Sequence, residues 1–157
     1  MTILTDSNIR TALDQVNQEF AQQEATAPAQ GYRVQFLQDN RGLVGKLIPV
    51  GSREKKSSFS TPALANCPFC EPAAVYKTFQ NQNRAIVSLS QQLLVIPQKH
   101  YAHWFEAPLD DQIQLINQAI EVRRANLPSI RSPIELHCGR AAGQTVFHIH
   151  VRTGVYI

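Results

Sequence analysis

The sequence predicts an α+β fold in which an antiparallel sheet is combined with two main helices. Two segments repeat apolar residues at helical spacing. Several short segments alternate polar and apolar residues and are separated by turn residues, which is typical of strands joined by hairpins. At 157 residues, the chain is long enough to bury one substantial core.

The N-terminal part predicts a helix, a hairpin and an exposed loop. The helix begins at a capping residue, Asp6 or Ser7, and extends to about Glu24. The first alternating segment, Tyr32–Phe36, is followed by the turn residues Asp39–Gly42 and by a second alternating segment, Leu43–Ile48. The polar stretch Gly51–Asn66 then predicts the exposed loop. We therefore assign residues 1–60 to an N-terminal extension packed on a core formed by residues 61–157.

The rest of the chain predicts further strands around a second helix. The helix covers Leu109–Ala125 and ends at Asn126 and Pro128, which are typical of a helix terminus. The turn Gly139–Gly143 precedes the last strand. The predicted strands are Val75–Phe79, Ala85–Leu89, Leu93–Ile96, Ile134–Cys138 and Thr145–Val151.

Composition excludes several classes of protein. The hydrophobic share of 43% and the charged share of 17% are ordinary for a soluble globular protein. No apolar run approaches the roughly 20 residues of a membrane span, and the first residues do not resemble a secretory signal. We therefore expect a cytoplasmic protein with no membrane partner. The net charge of +3 suits a small anionic ligand better than a nucleic acid polymer.

The last predicted strand carries the strongest indication of chemistry. Alternate side chains of a strand share a face, which places four polar groups in a row: Gln144, His148, His150 and Arg152. A neutral imidazole is a usable nucleophile near pH 7, and a guanidinium can bind phosphate oxygens in a bidentate manner. The strand therefore predicts a surface that holds and attacks phosphate, and the turn before it is either a phosphate-binding loop or a plain connection. The alternative is two ordinary strand histidines and an exposed terminal arginine.

The cysteines favour a metal site over a disulfide framework. An odd count of three, without an export signal, is unusual for disulfide-linked proteins. The spacing of Cys67 and Cys70 is that of half a tetrahedral zinc site, and the alternative is a pair of buried thiols in a turn. The remaining ligands would come from the histidines, which are His100, His103, His137, His148 and His150.

Three segments, in order, resemble motifs of the histidine-triad (HIT-like) superfamily. Cys67–Cys70 resembles its metal-binding CxxC, Leu94–His100 resembles its LViPkrH segment, and Gly139–His150 resembles G-x-x-A-G-Q-[ST]-V-x-H-x-H. The chain is therefore identified as a member of this superfamily. It is most similar to the zinc-bearing nucleotidyltransferase and diadenosine polyphosphate phosphorylase branch.

The resemblance implies a fold, a nucleophile and a cofactor. The fold would be a sheet of about five antiparallel strands with helices, often in a homodimer. His150 would attack the α-phosphorus of a nucleotide, and the covalent nucleotidyl-histidine would pass to water, phosphate or another acceptor. Zinc would be bound by Cys67, Cys70, His100 and His148. The substrate would contact Asn83, Gly143, Gln144 and Thr145, with Gln144 also assisting the chemistry. Arg152, which the alternation places on the same face, is expected to contact the substrate and assist the chemistry through its charge.

The chain departs from the superfamily pattern at three places. Arg152 stands where a third histidine is expected, which shifts the expected activity from hydrolysis towards transfer or phosphorolysis. His137 replaces a common asparagine, and Gln91-Gln92 replaces Gly-His. These departures leave two alternatives open: a non-catalytic nucleotide-binding protein, and a partner-binding scaffold in which zinc is structural.

Overall fold

The structure, a computed structural model, describes residues 5–39, 42–54, 67–72, 75, 77–78, 83–88, 91–127 and 132–155. Its two α-helices are α1 (Asp6–Thr26) and α2 (Leu109–Asn126). Its strands are β1 (Gly31–Asp39), β2 (Gly42–Val50), β3 (Lys77–Thr78), β4 (Asn83–Val87), β5 (Gln92–Pro97), β6 (Ile134–Cys138) and β7 (Val151–Val155). None of the helices in these ranges has the length and apolar character needed to cross a membrane.

All strands belong to one antiparallel sheet of order β2-β1-β6-β7-β5-β4-β3. The predicted α+β class, with two main helices and an antiparallel sheet, is confirmed. Within the described ranges the sheet has seven strands where about five were expected, because the predicted hairpin β1–β2 joins it through β6. Val34 of β1, for example, lies opposite Leu136 of β6. The division of the chain at residue 60 stays a prediction, and residues 55–66 lie outside the described ranges.

The capping residue of helix α1 lies one residue before the first of the two predicted caps. Thr5 is the capping residue: its Oγ1 accepts a hydrogen bond from the Asn8 backbone at 3.2 Å, and its own N–H donates to Asn8 Oδ1 at 3.0 Å. This reciprocal pair satisfies backbone donors that a helix start leaves open. The prediction of Asp6 or Ser7 as the cap was therefore wrong by one or two positions.

The two helices cover one face of the sheet, which we call the helix face. Helix α1 packs on β2 and α2, whereas α2 packs on β5 and β7. The main core lies between these layers and includes Leu13, Phe36, Val95, Ile116 and Val151. On the opposite face, which we call the open face, three residues form a smaller apolar cluster: Ile86, Leu94 and Ile96.

The close approach of α1 to β2 depends on Gly45. A Cβ at this position would lie 2.6 Å from Val16 Cγ2 and 3.0 Å from the Ala12 carbonyl oxygen. We expect Gly45→Ala to lower the free energy of unfolding by about 1–3 kcal/mol, since overpacking forces the helix away from the sheet. Urea denaturation measures this effect. The adjacent Val44→Ala is the control, because Val44 is exposed and should change stability by less than about 0.5 kcal/mol. Equal stability of wild type and Gly45→Ala would contradict the packing argument.

The histidine segment is not the regular strand that alternation predicts. Strand β7 begins only at Val151, and Thr145–His150 is irregular. Its backbone hydrogen bonds are local or made outside the sheet: the Ile149 N–H donates to the Tyr101 carbonyl at 2.9 Å, and Gln144 Nε2 donates to the Val146 carbonyl at 3.0 Å. These bonds replace a strand ladder, so the predicted strand over Thr145–His150 was wrong.

Candidate functional site

A short turn carries two cysteines onto the open face. The turn is closed by the Cys70 N–H, which donates to the Cys67 carbonyl at 3.3 Å. Between these cysteines, Phe69 packs against the apolar cluster of the open face. This contact holds both thiols near the end of β5, where the chain continues to His100.

The turn brings together the four residues expected to bind metal. The ligand atoms of Cys67, Cys70, His100 and His148 all lie within 4.8 Å of one another. His148 Nδ1 is 3.3 Å from Cys67 Sγ, 3.6 Å from Cys70 Sγ and 3.2 Å from His100 Nδ1, and Cys70 Sγ is 3.3 Å from His100 Nδ1. Ligands of a tetrahedral zinc ion lie about 3.3–3.8 Å apart, given bonds of about 2.0–2.1 Å to nitrogen and 2.3 Å to sulfur. The donor set and its spacing therefore fit a zinc ion.

The orientation of His148 suits this site. Its Nε2 lies 2.7 Å from the Pro97 carbonyl oxygen, and because a carbonyl only accepts, Nε2 carries the proton. The lone pair then lies on Nδ1, which faces the cysteines and His100. Burial lowers the pKa of His148, which favours the neutral form that a metal requires.

Of the five histidines, the fold brings two to the cysteine turn. His103 instead accepts a hydrogen bond from the Phe105 backbone at 3.2 Å. His137 lies on β6 and His150 directly precedes β7. The spacing of the cysteines alone did not distinguish among the histidines, whereas the resemblance implied His100 and His148.

His150 lies beside this cluster with one ring nitrogen anchored. Its Nδ1 is 2.9 Å from the His148 carbonyl oxygen, so Nδ1 donates and Nε2 carries the lone pair. The Phe69 ring centroid is 5.2 Å from the His150 ring and 6.1 Å from the His148 ring. Both imidazoles therefore lie on the same side of the chain, although the segment is not a strand.

Electrostatics keep His150 neutral at neutral pH. The ring is 8% exposed, and burial is the main cause that lowers its pKa to about 4. The positive charges of Arg152 and of His137, when it is protonated, lower the pKa further, against the raising effect of the His148 carbonyl. A neutral ring with a free nitrogen is the form that attacks an electrophile.

Arg152 projects from β7 onto the open face, opposite Leu94 and Glu135. Among the described residues, no carboxylate or other acceptor is paired with its guanidinium. The nearby carboxylate of Glu135 is instead engaged by Arg33, with Arg33 Nη2 at 2.6 Å, and by His137 Nε2 at 3.1 Å. Arg152 therefore supplies an uncompensated positive charge next to His150, as an anionic ligand requires.

The side chain of Gln144 stabilises the preceding loop through hydrogen bonds. It is 1% exposed; its Oε1 accepts from the Gly139 N–H at 2.8 Å, and its Nε2 donates to the Ala102 carbonyl at 2.6 Å and to Val146. The loop contains a short 3-10 helix, Arg140–Ala142, in place of the simple turn that was expected. The role predicted for Gln144, contact with phosphate, stays a prediction.

Gly143 and Thr145 flank this glutamine and are both exposed. Gly143 adopts a left-handed conformation with φ of +98°, which glycine tolerates without a steric cost. The exposed backbone on either side of Gln144 is therefore compatible with the predicted contacts of Gly143 and Thr145 to a phosphate, which stay predictions.

Asn83 is not brought to the open face. It is 5% exposed, and its Nδ2 donates to Gln118 Oε1 of helix α2. The side chain therefore points to the helix face, away from the face that carries Arg152. A contact between Asn83 and substrate stays a prediction, and the present geometry gives it no support.

A polar row that the sequence motifs did not indicate lies on the open face near His150. Glu135 Oε1 accepts from Arg33 Nε at 2.8 Å and from His137 Nε2 at 3.1 Å. Alternation within β6 places Glu135 and His137 on one face, and the sequence alone shows this alternation. Their partner Arg33 was not foreseeable, because the pairing of β1 with β6 joins residues distant in sequence.

The fold and this site define an α+β protein whose open sheet face combines a Cys₂His₂ cluster with a buried imidazole and a guanidinium that has no partner in the described part of the chain. Residues 88–152 match the family model of the HIT domain. This match covers less than half of the chain and shows similarity to the HIT domain, whose superfamily commonly contains nucleotide hydrolases or transferases. Comparisons with curated proteins and with solved structures found no match.

Proposed function

We propose that the protein is a nucleotidyl hydrolase or transferase that acts on the α-phosphate of a nucleotide through His150. One arrangement carries this proposal: a carbonyl anchors Nδ1 of His150, burial lowers the pKa of its ring, and the guanidinium of Arg152, which has no partner among the described residues, lies nearby. This arrangement lies within the HIT domain match. The substrate classes that fit are dinucleoside polyphosphates, nucleoside phosphoramidates and nucleotide sugars.

The reaction would proceed in two displacements. His150 Nε2 attacks the α-phosphorus, the bond to the leaving group breaks, and its electron pair leaves with that group. Arg152 binds the phosphate oxygens and offsets the negative charge that develops on them. The backbone N–H groups at Gly143 and Thr145 would add further donors. The nucleotidyl-histidine then passes its nucleotidyl group to water, phosphate or another acceptor.

Zinc is the proposed cofactor, bound by Cys67, Cys70, His100 and His148. Bound zinc supplies a rigid link between the cysteine turn and the histidine segment. His148 then holds its carbonyl in place, and this carbonyl orients the ring of His150. The zinc-bearing branch of the superfamily is proposed on the donor set and its distances.

Trapping the covalent intermediate tests this proposal. The wild-type protein is incubated with a nucleotide labelled at the α-phosphate, quenched with alkali and digested. We expect label on the peptide that contains His150, as an acid-labile and alkali-stable phosphoramidate. Label in the terminal phosphate is the control and should not be retained. Transfer of α-label to no residue, or only to another residue, would contradict the proposed nucleophile.

A second candidate function is nucleotide binding without catalysis. The departures at Arg152, His137 and Gln92 motivated it, and the low exposure of His150 favours it further. It predicts affinity in calorimetry but no turnover of any nucleotide in a broad panel. The expected homodimer and cytoplasmic location stay predictions under either function.

A further inference from the structure

We propose that His137 is the proton-transfer residue of this site: it protonates the leaving group and then takes a proton from the acceptor. The inference rests on the proposed function, because it needs His150 as the nucleophile. The observation behind it is the row Arg33–Glu135–His137, which ends at the loop before the histidines.

One nitrogen of His137 is held by a carboxylate. Its Nε2 lies 3.1 Å from Glu135 Oε1, so Nε2 donates its proton there. Arg33 binds the same carboxylate oxygen through Nε and Nη2, at 2.8 and 2.6 Å. Hydrogen bonds from Arg33 and His137 outweigh the effect of burial and lower the pKa of Glu135. Glu135 therefore stays ionised and orients the ring, as carboxylates do for catalytic histidines.

The other nitrogen of His137 faces the predicted phosphate loop. Nδ1 is buried and has no hydrogen-bond partner in the described part of the chain. A Cβ built on Gly143 would lie 3.4 Å from it. A buried nitrogen without a hydrogen-bond partner lowers the stability of the folded state. A leaving oxygen or an acceptor hydroxyl bound at this loop would supply the missing hydrogen bond.

His137 lies near the reacting groups: it is two residues from Glu135 on β6, and Glu135 lies opposite Arg152, which follows His150 by two residues. The charge of Arg152 lowers the pKa of His137, and the charge of protonated His137 lowers that of His150. Arg152 cannot transfer the proton itself, because its pKa exceeds about 12. Among the described residues of this face, His137 is therefore the imidazole that is neither the proposed nucleophile nor part of the metal cluster.

The proton that His137 donates in the first displacement returns to it in the second. In the first, His150 Nε2 bonds to phosphorus, the phosphorus–oxygen bond breaks, and the leaving oxygen takes the proton from His137 Nδ1. His137 is then neutral and still donates from Nε2 to Glu135. In the second, the acceptor oxygen bonds to phosphorus, its proton passes to His137 Nδ1, and the phosphorus–nitrogen bond breaks. His150 and His137 return to their starting protonation states.

Four groups set the protonation of His137. Burial and the positive charges of Arg152 and Arg33 lower its pKa, whereas Glu135 raises it, and the net effect is lowering; protonated His150 would oppose its charge too. A bound phosphate brings negative charge to the loop and raises the pKa of His137 towards the working pH. The proton-donating form would therefore be populated when the substrate is present.

The test compares two esters of one nucleoside monophosphate. The p-nitrophenyl ester releases a weakly basic phenolate that needs no proton, whereas the phenyl ester releases a strongly basic one. We expect His137→Asn to lower kcat on the phenyl ester by about 10²-fold or more and to change kcat on the p-nitrophenyl ester by only a few fold. His137→Gln should behave in the same way. His103→Asn is the matched control and should leave both rates unchanged, since His103 lies outside the site.

The outcomes separate this inference from the function on which it rests. Equal losses on both esters in variants that melt like the wild type would assign His137 to phosphate binding or to structure, and would overturn the inference. Unchanged rates on both esters would also overturn it. If the wild type cleaves neither ester, the proposed function fails and the inference fails with it. Failure of both variants to fold would show a structural role and would likewise overturn it.

Discussion

His150→Ala is expected to lower the release of nucleoside monophosphate from a dinucleoside polyphosphate or nucleoside phosphoramidate by about 10⁴-fold or more. The physical reason is that His150 is the imidazole of the histidine segment whose anchored ring leaves a free nitrogen outside the metal cluster. His148 is directed to the metal cluster, and His137 offers its nitrogen from the neighbouring strand β6. The loss would correspond to about 5.5 kcal/mol of transition-state stabilisation, at about 1.4 kcal/mol per tenfold change in rate.

The measurement is kcat/KM by chromatography of the released nucleotide, with α-label trapping in parallel. The variant should form no covalent intermediate and should still bind nucleotide, because Arg152 is retained. His103→Ala is the matched control, since it removes an imidazole that accepts from the Phe105 backbone and belongs neither to the metal cluster nor to the histidine segment. Full activity of His150→Ala would show that the nucleophile has been assigned wrongly. Binding without turnover in the wild type would favour the second candidate function.

The second large effect is expected from loss of the metal. We expect the purified protein to contain about one equivalent of zinc per chain, and Cys70→Ser to retain less than about half an equivalent. A ligand present at a thousand times its dissociation constant stabilises the folded state by about 4 kcal/mol. Since 1 kcal/mol shifts Tm by about 2–4 °C in a domain of this size, chelation should lower Tm by roughly 10 °C.

Elemental analysis and thermal melting with and without chelator measure these effects. The chain offers a matched control in Cys138, which is fully buried and outside the cluster, and whose pKa is raised to about 12 by burial. Cys138→Ala should keep its zinc although it removes a cysteine. Wild-type protein that holds less than about half an equivalent, with no rescue by added zinc, would rule out the proposed site.

Much of the fold followed from local patterns. The alternation on either side of Asp39–Gly42 predicted the hairpin, and apolar residues at helical spacing predicted both helices within two residues at each end. Periodicity predicts a strand wrongly where the backbone groups bond to side chains or to a loop instead of to a neighbouring strand. At Thr145–His150 the pattern was that of a strand, yet the bonds of Gln144 and Ile149 hold the segment in an irregular path.

The candidate site followed from the sequence only in part. The cysteine spacing indicated a metal site, and the resemblance selected two histidines; the distances among the four ligand atoms agree with that choice. Asn83 was expected at the substrate, but β4 turns it towards Gln118 on the helix face. A side chain's face depends on register, and one sequence does not determine the register of an irregular region.

The sequence by itself determined the class of fold, the pair of cysteines and the presence of two imidazoles and a guanidinium within one short segment. Those properties depend on spacing along the chain, which local chemistry reveals. Only the tertiary structure decided that Phe69 lies against both imidazoles, and that Arg33 engages the carboxylate and leaves Arg152 unpaired among the described residues. The pairing of β1 with β6 and the docking of the cysteine turn produce these contacts between distant segments, and no local pattern encodes them.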